Sequence, residues 1–268
     1  MDNRPIGVFD SGIGGLTVLK ELIRGLPNEN IVYFGDTARV PYGTRSRDII
    51  IKYTFQSIRF LLSKNIKALV IACNTASAIA MPEVKRHFLL PVIGVIGPGA
   101  AAAVSANRNG RIGVIGTPAT IESGAYKDAI EKVDGSKEII SNSCPLFVPL
   151  VEEGWSETQV ASIVAREYLK PVLSKNVDTL VMGCTHYPLL KKVVGDIAGN
   201  KVTLIDPACE TAKEFIKLLK GYNLAREDKG SPVYRYYVSD DPEKFVKVGA
   251  RFLERKIDNI EKIDIEKY

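Results

Sequence analysis

The feature that most constrains the fold of this 268-residue chain is an alternation of short Val- and Ile-rich runs with segments of helical periodicity. Few polar residues interrupt the runs, as expected for parallel strands that are buried on both faces. We predict eight such strands: Ile6–Phe9, Ile31–Phe34, Ala68–Ala72, Val92–Val95, Ile112–Ile115, Glu138–Ile140, Thr179–Met182 and Val202–Ile205. The spacing of apolar residues predicts helices at Leu16–Leu26, Asp48–Leu62, Glu157–Leu173 and Thr211–Leu219. This order favours an α/β fold with parallel sheets.

The chain also repeats itself. Ile6-Gly-Val-Phe-Asp-Ser resembles Ile112-Gly-Val-Ile-Gly-Thr at an offset of 106 residues, and the phrase ending in Cys73-Asn-Thr resembles the phrase ending in Cys184-Thr-His at an offset of 111. Two motifs that recur in the same order at nearly one offset favour a duplication. We therefore predict two similar, doubly wound parallel-sheet domains, at 1–97 and 98–213, with the boundary at Gly97-Pro-Gly99.

The remaining segment, 214–268, has no counterpart in this scheme. Ile257, Ile260 and Ile263 form an apolar stripe between charged residues, which predicts a terminal helix that packs back on the first domain.

Composition and charge exclude several classes of protein. The net charge is only +5 and the basic residues are scattered, which argues against a nucleic-acid partner. No apolar run reaches the roughly 18 residues that span a bilayer, and the start resembles no signal peptide, so we expect no membrane association and a cytoplasmic protein. Four cysteines without a Cys-x-x-Cys pair, and two histidines, predict neither a disulfide framework nor a metal site.

Cys73 and Cys184 are the strongest site candidates. Each follows a predicted strand and precedes a predicted helix, and ligands of open α/β sheets gather at the carboxyl ends of strands. A single cysteine is more often a buried packing residue, which is the role we assign to Cys144 and Cys209. The matched pair instead favours a site that needs two thiols. At a helix start, we expect the thiol of Cys73 to have a pKa below the usual value of about 8.5.

Two loops at other strand ends are further candidates. Asp10 and Ser11 open a glycine-rich turn after the first strand, where they would face a ligand or simply cap a helix. The glycine spacing does not match the dinucleotide-binding fingerprint. Tyr42 and Gly43 follow the second strand and offer a hydroxyl and backbone groups to a pocket, although an ordinary turn fits this sequence equally well.

Side chains next to the two cysteines could assist them. His186 is close enough in sequence to exchange a proton with Cys184 or to stabilise its thiolate. Asn74, Thr75 and Thr185 are suitable hydrogen-bond donors to an anionic substrate. Glu152 is a weaker candidate, because it could merely precede the next helix.

If the two domains face each other, the cysteines lie on opposite walls of one cleft. One thiolate would then remove a proton from a chiral carbon while the opposite thiol returns one, which inverts the configuration. This chemistry needs no bound cofactor, and the sequence has no evident pyridoxal-lysine signature.

Four phrases, taken together, resemble the glutamate racemase family. They are Gly7-Val-Phe-Asp-Ser-Gly-Ile-Gly-Gly15, Gly35-Asp-Thr-Ala-Arg-Val-Pro-Tyr-Gly43, Ala72-Cys-Asn-Thr-Ala76 and Gly183-Cys-Thr-His-Tyr-Pro188. The resemblance implies a cofactor-independent enzyme that interconverts L- and D-glutamate, supplies D-glutamate for peptidoglycan and commonly forms a homodimer. It also implies that Cys73 deprotonates D-glutamate and Cys184 L-glutamate. The remaining implied positions bind substrate or assist: Asp10, Ser11, Tyr42, Gly43, Asn74, Thr75, Thr185, His186 and, less directly, Glu152.

Two alternatives stay open. A related racemase, such as an aspartate racemase, would use the same two thiols on another substrate. A non-catalytic small-anion binding protein would share the cleft and the positive net charge, but it gives no reason for paired cysteines.

Overall fold

The structure, a computed structural model, describes residues 2–226 and 230–268. Its strands are β1 (Ile6–Asp10), β2 (Ile31–Gly35), β3 (Ala68–Ile71), β4 (Val92–Gly94), β5 (Arg111–Gly116), β6 (Glu138–Ser143), β7 (Thr179–Gly183), β8 (Thr203–Ile205), β9 (Tyr234–Val238) and β10 (Ile260–Lys262). Its α-helices are α1 (Leu16–Gly25), α2 (Arg47–Ser63), α3 (Asn74–His87), α4 (Ile96–Ala106), α5 (Pro118–Glu122), α6 (Ala125–Val133), α7 (Phe147–Glu152), α8 (Gln159–Leu173), α9 (Lys191–Ala198), α10 (Pro207–Gly221) and α11 (Pro242–Leu253). Short 3₁₀ helices occur at Tyr42–Thr44, Tyr187–Leu190 and Ile265–Lys267.

The strands form two separate parallel sheets. The six-stranded sheet has the order β10-β9-β2-β1-β3-β4, and the four-stranded sheet has the order β6-β5-β7-β8. Every strand pair in both sheets is parallel. We call the six-stranded sheet with its helices the first lobe, and the four-stranded sheet with its helices the second lobe.

Helices cover both faces of the first sheet, which explains its continuous apolar strands. Ile6 and Val8 of β1 face the cluster that contains α1, whereas Phe9 faces the opposite cluster that contains α2 and α3. All three side chains are fully buried. Burial on both faces is the reason that these strands read as unbroken apolar runs instead of alternating ones.

The eight predicted strands are all present as β1 to β8, and the four predicted helices are present as α1, α2, α8 and α10. The structure also contains β9 and β10, which the sequence reading did not identify. Helix α3, which follows Cys73, continues through Pro82 to His87, which is exposed at the helix end.

The predicted terminal helix over residues 252–268 is wrong. Helix α11 ends at Leu253 because Glu254 adopts a left-handed conformation with φ of 53°, and β10 follows. The backbone of Ile260 pairs with Tyr236, so the isoleucine stripe reflects an edge strand and its flanks. The expectation that this segment returns to the first lobe agrees with its pairing, since β9 lies beside β2 and β10 beside β9.

The predicted boundary at Gly97 falls within the first turn of α4, which packs against α6, α10 and β7 of the second lobe. The division of the chain at residues 97 and 213 stays a prediction. No helix among the described residues combines the length and the apolar content needed to cross a membrane.

Candidate active site

The two cysteines lie at equivalent carboxyl ends of strands in the two sheets. Cys73 follows β3 and caps α3, with its Sγ 3.4 Å from the backbone nitrogen of Ala76. Cys184 directly follows β7, which lies beside β5 as β3 lies beside β1. Both side chains are buried, and a negative charge on Cys184 contributes to raising the pKa of Cys73. The charge of Cys184 therefore acts on Cys73 across the region where the two lobes meet, which we call the junction.

Cys73 lies in a negative environment. Its thiol donates to the hydroxyl of Ser11, with Sγ and Oγ 3.3 Å apart. Burial, followed by the charge of Asp10, raises the pKa of Cys73 to about 12. The expectation of a lowered pKa is wrong, because the hydrogen bond with Ser11 and the one from the backbone of Ala76 do not offset the loss of water. At neutral pH, Cys73 is a neutral thiol.

Asp10 has one oxygen that is not satisfied. Its Oδ2 accepts a hydrogen bond of 2.9 Å from the backbone of Gly12, and the backbone N–H of Gly15 also acts to lower its pKa. Among residues 2–226 and 230–268, no donor lies in hydrogen-bonding geometry to the buried Oδ1. Burial raises the pKa of Asp10, and the nearby charge of His186 opposes that rise. A buried carboxylate oxygen without a donor favours binding of a cationic group.

Cys184 lies in a different environment, beside a histidine–glutamate pair. The Nδ1 of His186 is 3.9 Å from the Sγ of Cys184, and its Nε2 is 3.0 Å from Oε1 of Glu152. Burial alone would lower the pKa of His186, but its bonds to Cys184 and Glu152 outweigh this effect and raise the pKa to about 10. Burial acts to raise the pKa of Glu152, yet the hydrogen bond to His186 brings it below its ordinary value. The pair is thus ionised at neutral pH.

The predicted donors Asn74 and Thr75 lie where α3 meets the second lobe. The Oδ1 of Asn74 accepts a hydrogen bond of 2.7 Å from the hydroxyl of Tyr126. The Thr75 hydroxyl forms a triangle with those of Thr117 and Thr120, at 2.9 and 3.2 Å. These contacts hold the two walls of the junction together while keeping hydroxyl groups beside the cysteines.

Thr185 makes a similar contact on the other side. Its carbonyl oxygen is 3.0 Å from the hydroxyl of Thr17 in α1. A Cβ on Gly14 would collide with the Thr185 hydroxyl and with the His186 ring. The glycine-rich turn therefore lets the second lobe approach closely, which explains a glycine at position 14 better than does a phosphate-binding role.

Tyr42 is placed differently from the prediction of a pocket hydroxyl. Its hydroxyl donates to Oδ2 of Asp36 at 2.5 Å, in a buried network that also contains Arg39. Gly43 lies against Thr117, where a Cβ would be 2.6 Å from the threonine Cβ. The loop thus contributes its backbone at Gly43 to the junction. The Tyr42 hydroxyl instead stabilises the loop through its hydrogen bond to Asp36.

Sequence reasoning did not single out Thr117 as a site residue. Thr117 follows β5 at the same repeat position that Ser11 occupies after β1, and its hydroxyl contacts Thr75. The offset of 106 residues between the two repeated phrases aligns Thr117 with Ser11, so this alignment could have identified Thr117 from the sequence.

Two cavities flank the junction on either side of Glu152. The larger, of about 280 Å³, is lined by Gly43, Thr117 and Glu152 among others, and the smaller, of about 160 Å³, by Gly12 and Lys244. A further cavity, of about 460 Å³, lies at the opposite, amino-terminal edge of the first sheet. Because it is remote from both cysteines, we do not associate it with their chemistry.

The family model for Asp/Glu/Hydantoin racemases matches residues 6–215. The chain belongs to this racemase family. The match extends over β1 to β8 and includes both cysteine motifs, so the predicted resemblance is confirmed.

Relatives within the family match almost the whole chain. A glutamate racemase from Geobacter metallireducens is 49% identical over 263 residues, which cover 98% of this chain and 97% of that protein. The crystal structure of glutamate racemase from Francisella tularensis in complex with D-glutamate is 46% identical, with a TM-score of 0.94 and full coverage of both chains. The crystal structure of glutamate racemase from Thermus thermophilus in complex with beta-chloro-D-alanine is 42% identical, with a TM-score of 0.91 and full coverage of both chains. These likenesses confirm the predicted fold of two parallel-sheet α/β units.

Across the described part of this racemase-family chain, no group of three His, Cys, Asp or Glu side chains could hold a metal ion.

Proposed function

We propose that this protein interconverts L-glutamate and D-glutamate, with Cys73 and Cys184 acting as base and acid on opposite faces of the α-carbon. The observation that carries the proposal is the position of two buried thiols at equivalent strand ends of the two lobes. A duplicated scaffold that delivers one thiol from each half suits a reaction that needs one group on each face.

The surroundings of the two thiols support different starting protonation states. The positive charge of His186 lies beside the sulfur that we propose as the base toward L-glutamate, whereas the raised pKa of Cys73 keeps that thiol neutral. From this state, the Cys184 thiolate removes the α-proton of L-glutamate while the Cys73 thiol donates its proton to the opposite face. The product is D-glutamate, and the thiols have exchanged protonation states. D-Glutamate then reacts in the reverse sense, with Cys73 as the base.

We propose that several groups around the two cysteines bind the substrate. The unpaired Oδ1 of Asp10 can accept a hydrogen bond from the α-ammonium group, and a bound ammonium would offset the burial of that carboxylate. Ser11, Asn74, Thr75, Thr185 and the backbone of Gly43 are donors for the carboxylates. Because the junction is largely buried, these interactions act with little competition from water.

The names of the relatives favour glutamate over aspartate as the substrate. The proteins that match this chain at 42–49% identity, with almost full coverage of both chains, are named glutamate racemases. A non-catalytic binding protein would retain its function with serine at positions 73 and 184, whereas a two-thiol racemase would lose it with either substitution.

The direct test is the decay of the circular dichroism of L-glutamate and, separately, of D-glutamate, without added cofactor and after dialysis against a chelator. We expect both signals to decay to zero and, in D₂O, one solvent deuterium to be incorporated at the α-carbon of the product. Persistent optical activity at high protein concentration would refute racemisation of glutamate. A panel that includes aspartate tests the near alternative, and full retention of the original hydrogen would refute the two-base scheme.

We further propose that the D-glutamate product enters peptidoglycan synthesis in the cytoplasm. The test is expression of the chain in a bacterium that requires external D-glutamate, where growth without the supplement is expected. The Cys73→Ala variant is the matched control, and growth with that variant would contradict the proposal.

We also propose a homodimer. It is supported by an exposed apolar patch of Leu146, Trp155, Val160 and Ile163, whose side chains line or adjoin a cavity of about 260 Å³. Contiguous apolar surface of this kind commonly marks a protein interface. Light scattering at micromolar concentration should give twice the chain mass, and Trp155→Asp should reduce it to one. A monomeric wild-type protein would contradict the proposal.

A further inference from the structure

Helix α11 comes from the C-terminal segment, yet it reaches the histidine–glutamate pair of the second lobe. The ring of Phe252 packs edge-on against the ring of His186, with centroids 5.3 Å apart and an interplanar angle of 84°. The adjacent Arg251 extends to the turn that follows α7, where its Nη2 donates to the backbone carbonyl of Glu152 at 2.7 Å. Two consecutive residues of α11 therefore contact the two members of the pair.

The turn after α7 is shaped around the arginine. Gly154 has a φ of 80°, a conformation that side chains rarely adopt. A Cβ at this position would lie 2.5 Å from Nη1 of Arg251. The turn thus closes on the guanidinium group, which fixes the backbone of Glu152 at the point from which its side chain extends to His186.

We propose that Arg251 is a positioning residue, which holds the Glu152 turn so that the carboxylate keeps His186 oriented toward the sulfur of Cys184. This inference rests on the proposed function for its effect on turnover. The contact itself does not depend on that function. The hydrogen bond of Arg251 is made to the backbone of Glu152 and not to a cysteine, so its influence passes through Glu152 and His186.

The charges around His186 define what removal of Arg251 should do. Cys184 and Glu152 are hydrogen-bonded to the ring, Asp10 is within range of its charge, and Lys244 acts on Glu152. Loss of the guanidinium charge alone would favour protonation of His186. Displacement of Glu152 would have the opposite effect. A weakened contact with Glu152 thus lowers the His186 titration midpoint, whereas the lost charge alone would raise it.

The kinetic test compares Arg251→Met and Arg251→Lys with Lys247→Met, an exposed residue on the same helix whose substitution also removes one positive charge. We expect Arg251→Met to lower kcat about tenfold with little change in KM, as for loss of one charge-assisted hydrogen bond. Arg251→Lys should recover part of that loss, since it keeps a donor, and Lys247→Met should match the wild type. Equal activities for Arg251→Met and Lys247→Met would overturn the proposal.

The second measurement does not require activity. The chain has only two histidines, and His87 is exposed at the end of α3, so the ring carbon–proton NMR signals give one reporter and one internal control. In Arg251→Met we expect the His186 midpoint to fall below its wild-type value near pH 10, while the His87 midpoint is unchanged. An unchanged or higher His186 midpoint would refute the positioning role. If the wild type fails to racemise glutamate but the midpoint still falls, the proposed function fails and the role of Arg251 stands.

Discussion

The Cys73 and Cys184 sides of the junction share a backbone arrangement and differ in the charges around the sulfur. Each cysteine follows a strand that lies beside the first strand of its sheet. Burial and the nearby Asp10 raise the pKa of Cys73 to about 12, although its contact with the Ser11 hydroxyl acts in the opposite direction. Cys184 instead contacts His186, whose positive charge Glu152 maintains.

This comparison shows that the repeated strands place the two cysteines equivalently, whereas the residues in the loops around each cysteine set the charge near its sulfur. The residue after β1 on the Cys73 side is Ser11, and its counterpart after β5 is Thr117, which contacts Thr75 instead of Cys184. The cation beside Cys184 comes from the turn after β7 and has no equivalent beside Cys73, where Asn74 and Thr75 occupy the corresponding positions. We therefore expect two chemically unequal thiols on two equivalent supports.

The strongest test of this comparison is removal of one thiol at a time. We expect both Cys73→Ala and Cys184→Ala to lower racemisation by at least about a thousandfold, since each removes one of two required proton-transfer groups. The remaining thiol should still exchange the α-hydrogen of one enantiomer with D₂O: L-glutamate in Cys73→Ala and D-glutamate in Cys184→Ala. NMR of each recovered enantiomer measures this exchange. Exchange of both enantiomers by either variant would contradict the assignment of one face to each thiol.

A smaller effect should follow when the cation beside Cys184 is removed. We expect His186→Gln to lower kcat about a hundredfold, because the Cys184 thiolate loses its neighbouring positive charge. The matched control is His87→Gln, which changes the exposed histidine at the end of α3 and should leave kcat unchanged. The rates are measured by circular dichroism. Equal rates for the two variants would show that the charge of His186 does not assist Cys184.

The close approach of the lobes on the Cys184 side depends on Gly14. We expect Gly14→Ala to lower the free energy of unfolding by about 1–3 kcal/mol, because the added methyl group overlaps Thr185 and His186. Gly97→Ala is the control, since a methyl group at that helical position meets nothing within 4 Å. It should change stability by less than about 1 kcal/mol. Urea unfolding measures the free energies of unfolding of both variants. Equal values would show that the glycine-rich turn can shift to accommodate a methyl group at position 14.

The pH dependence of stability provides a further test. The pKa of His186 is about 10 in the folded protein, against about 6.5 in the unfolded chain. Its protonation therefore contributes stability that is fully present below pH 6.5 and is lost as the pH rises toward 10. The difference in unfolding free energy between wild type and His186→Gln should shrink between pH 6 and about pH 9.5 in urea titrations. A constant difference would show that His186 is not charged in the folded state.

The sequence predicted the core strands well because burial on both faces leaves an unbroken apolar signature. Strands β9 and β10 were missed for the converse reason. Tyr234–Val238 contains an arginine and lies toward the outside of the sheet, and Ile260–Lys262 is a three-residue edge strand with charged residues. The isoleucines at the end of the chain also fit a helical spacing, and only the left-handed conformation of Glu254 distinguishes the two outcomes.

The sequence predicted the strand-end positions of the two cysteines but not the raised pKa of Cys73. Twin cysteine motifs were sufficient to bring Cys73 and Cys184 to equivalent strand ends. The raised pKa of Cys73 depends on burial and on Asp10, more than 60 positions earlier in the chain, and no local pattern reports either. The contact between Arg251 and Glu152 likewise joins residues 99 positions apart.

The position of β9 has a consequence for how the molecule is made. Strand β2 pairs with β1 on one side and with β9 on the other, so its outer edge stays bare until Tyr234–Val238 have left the ribosome. By that time every strand of the second lobe has already been synthesised. The half of the protein that is translated first is therefore completed last, and an unpaired strand edge of this kind is a template for aggregation while translation continues.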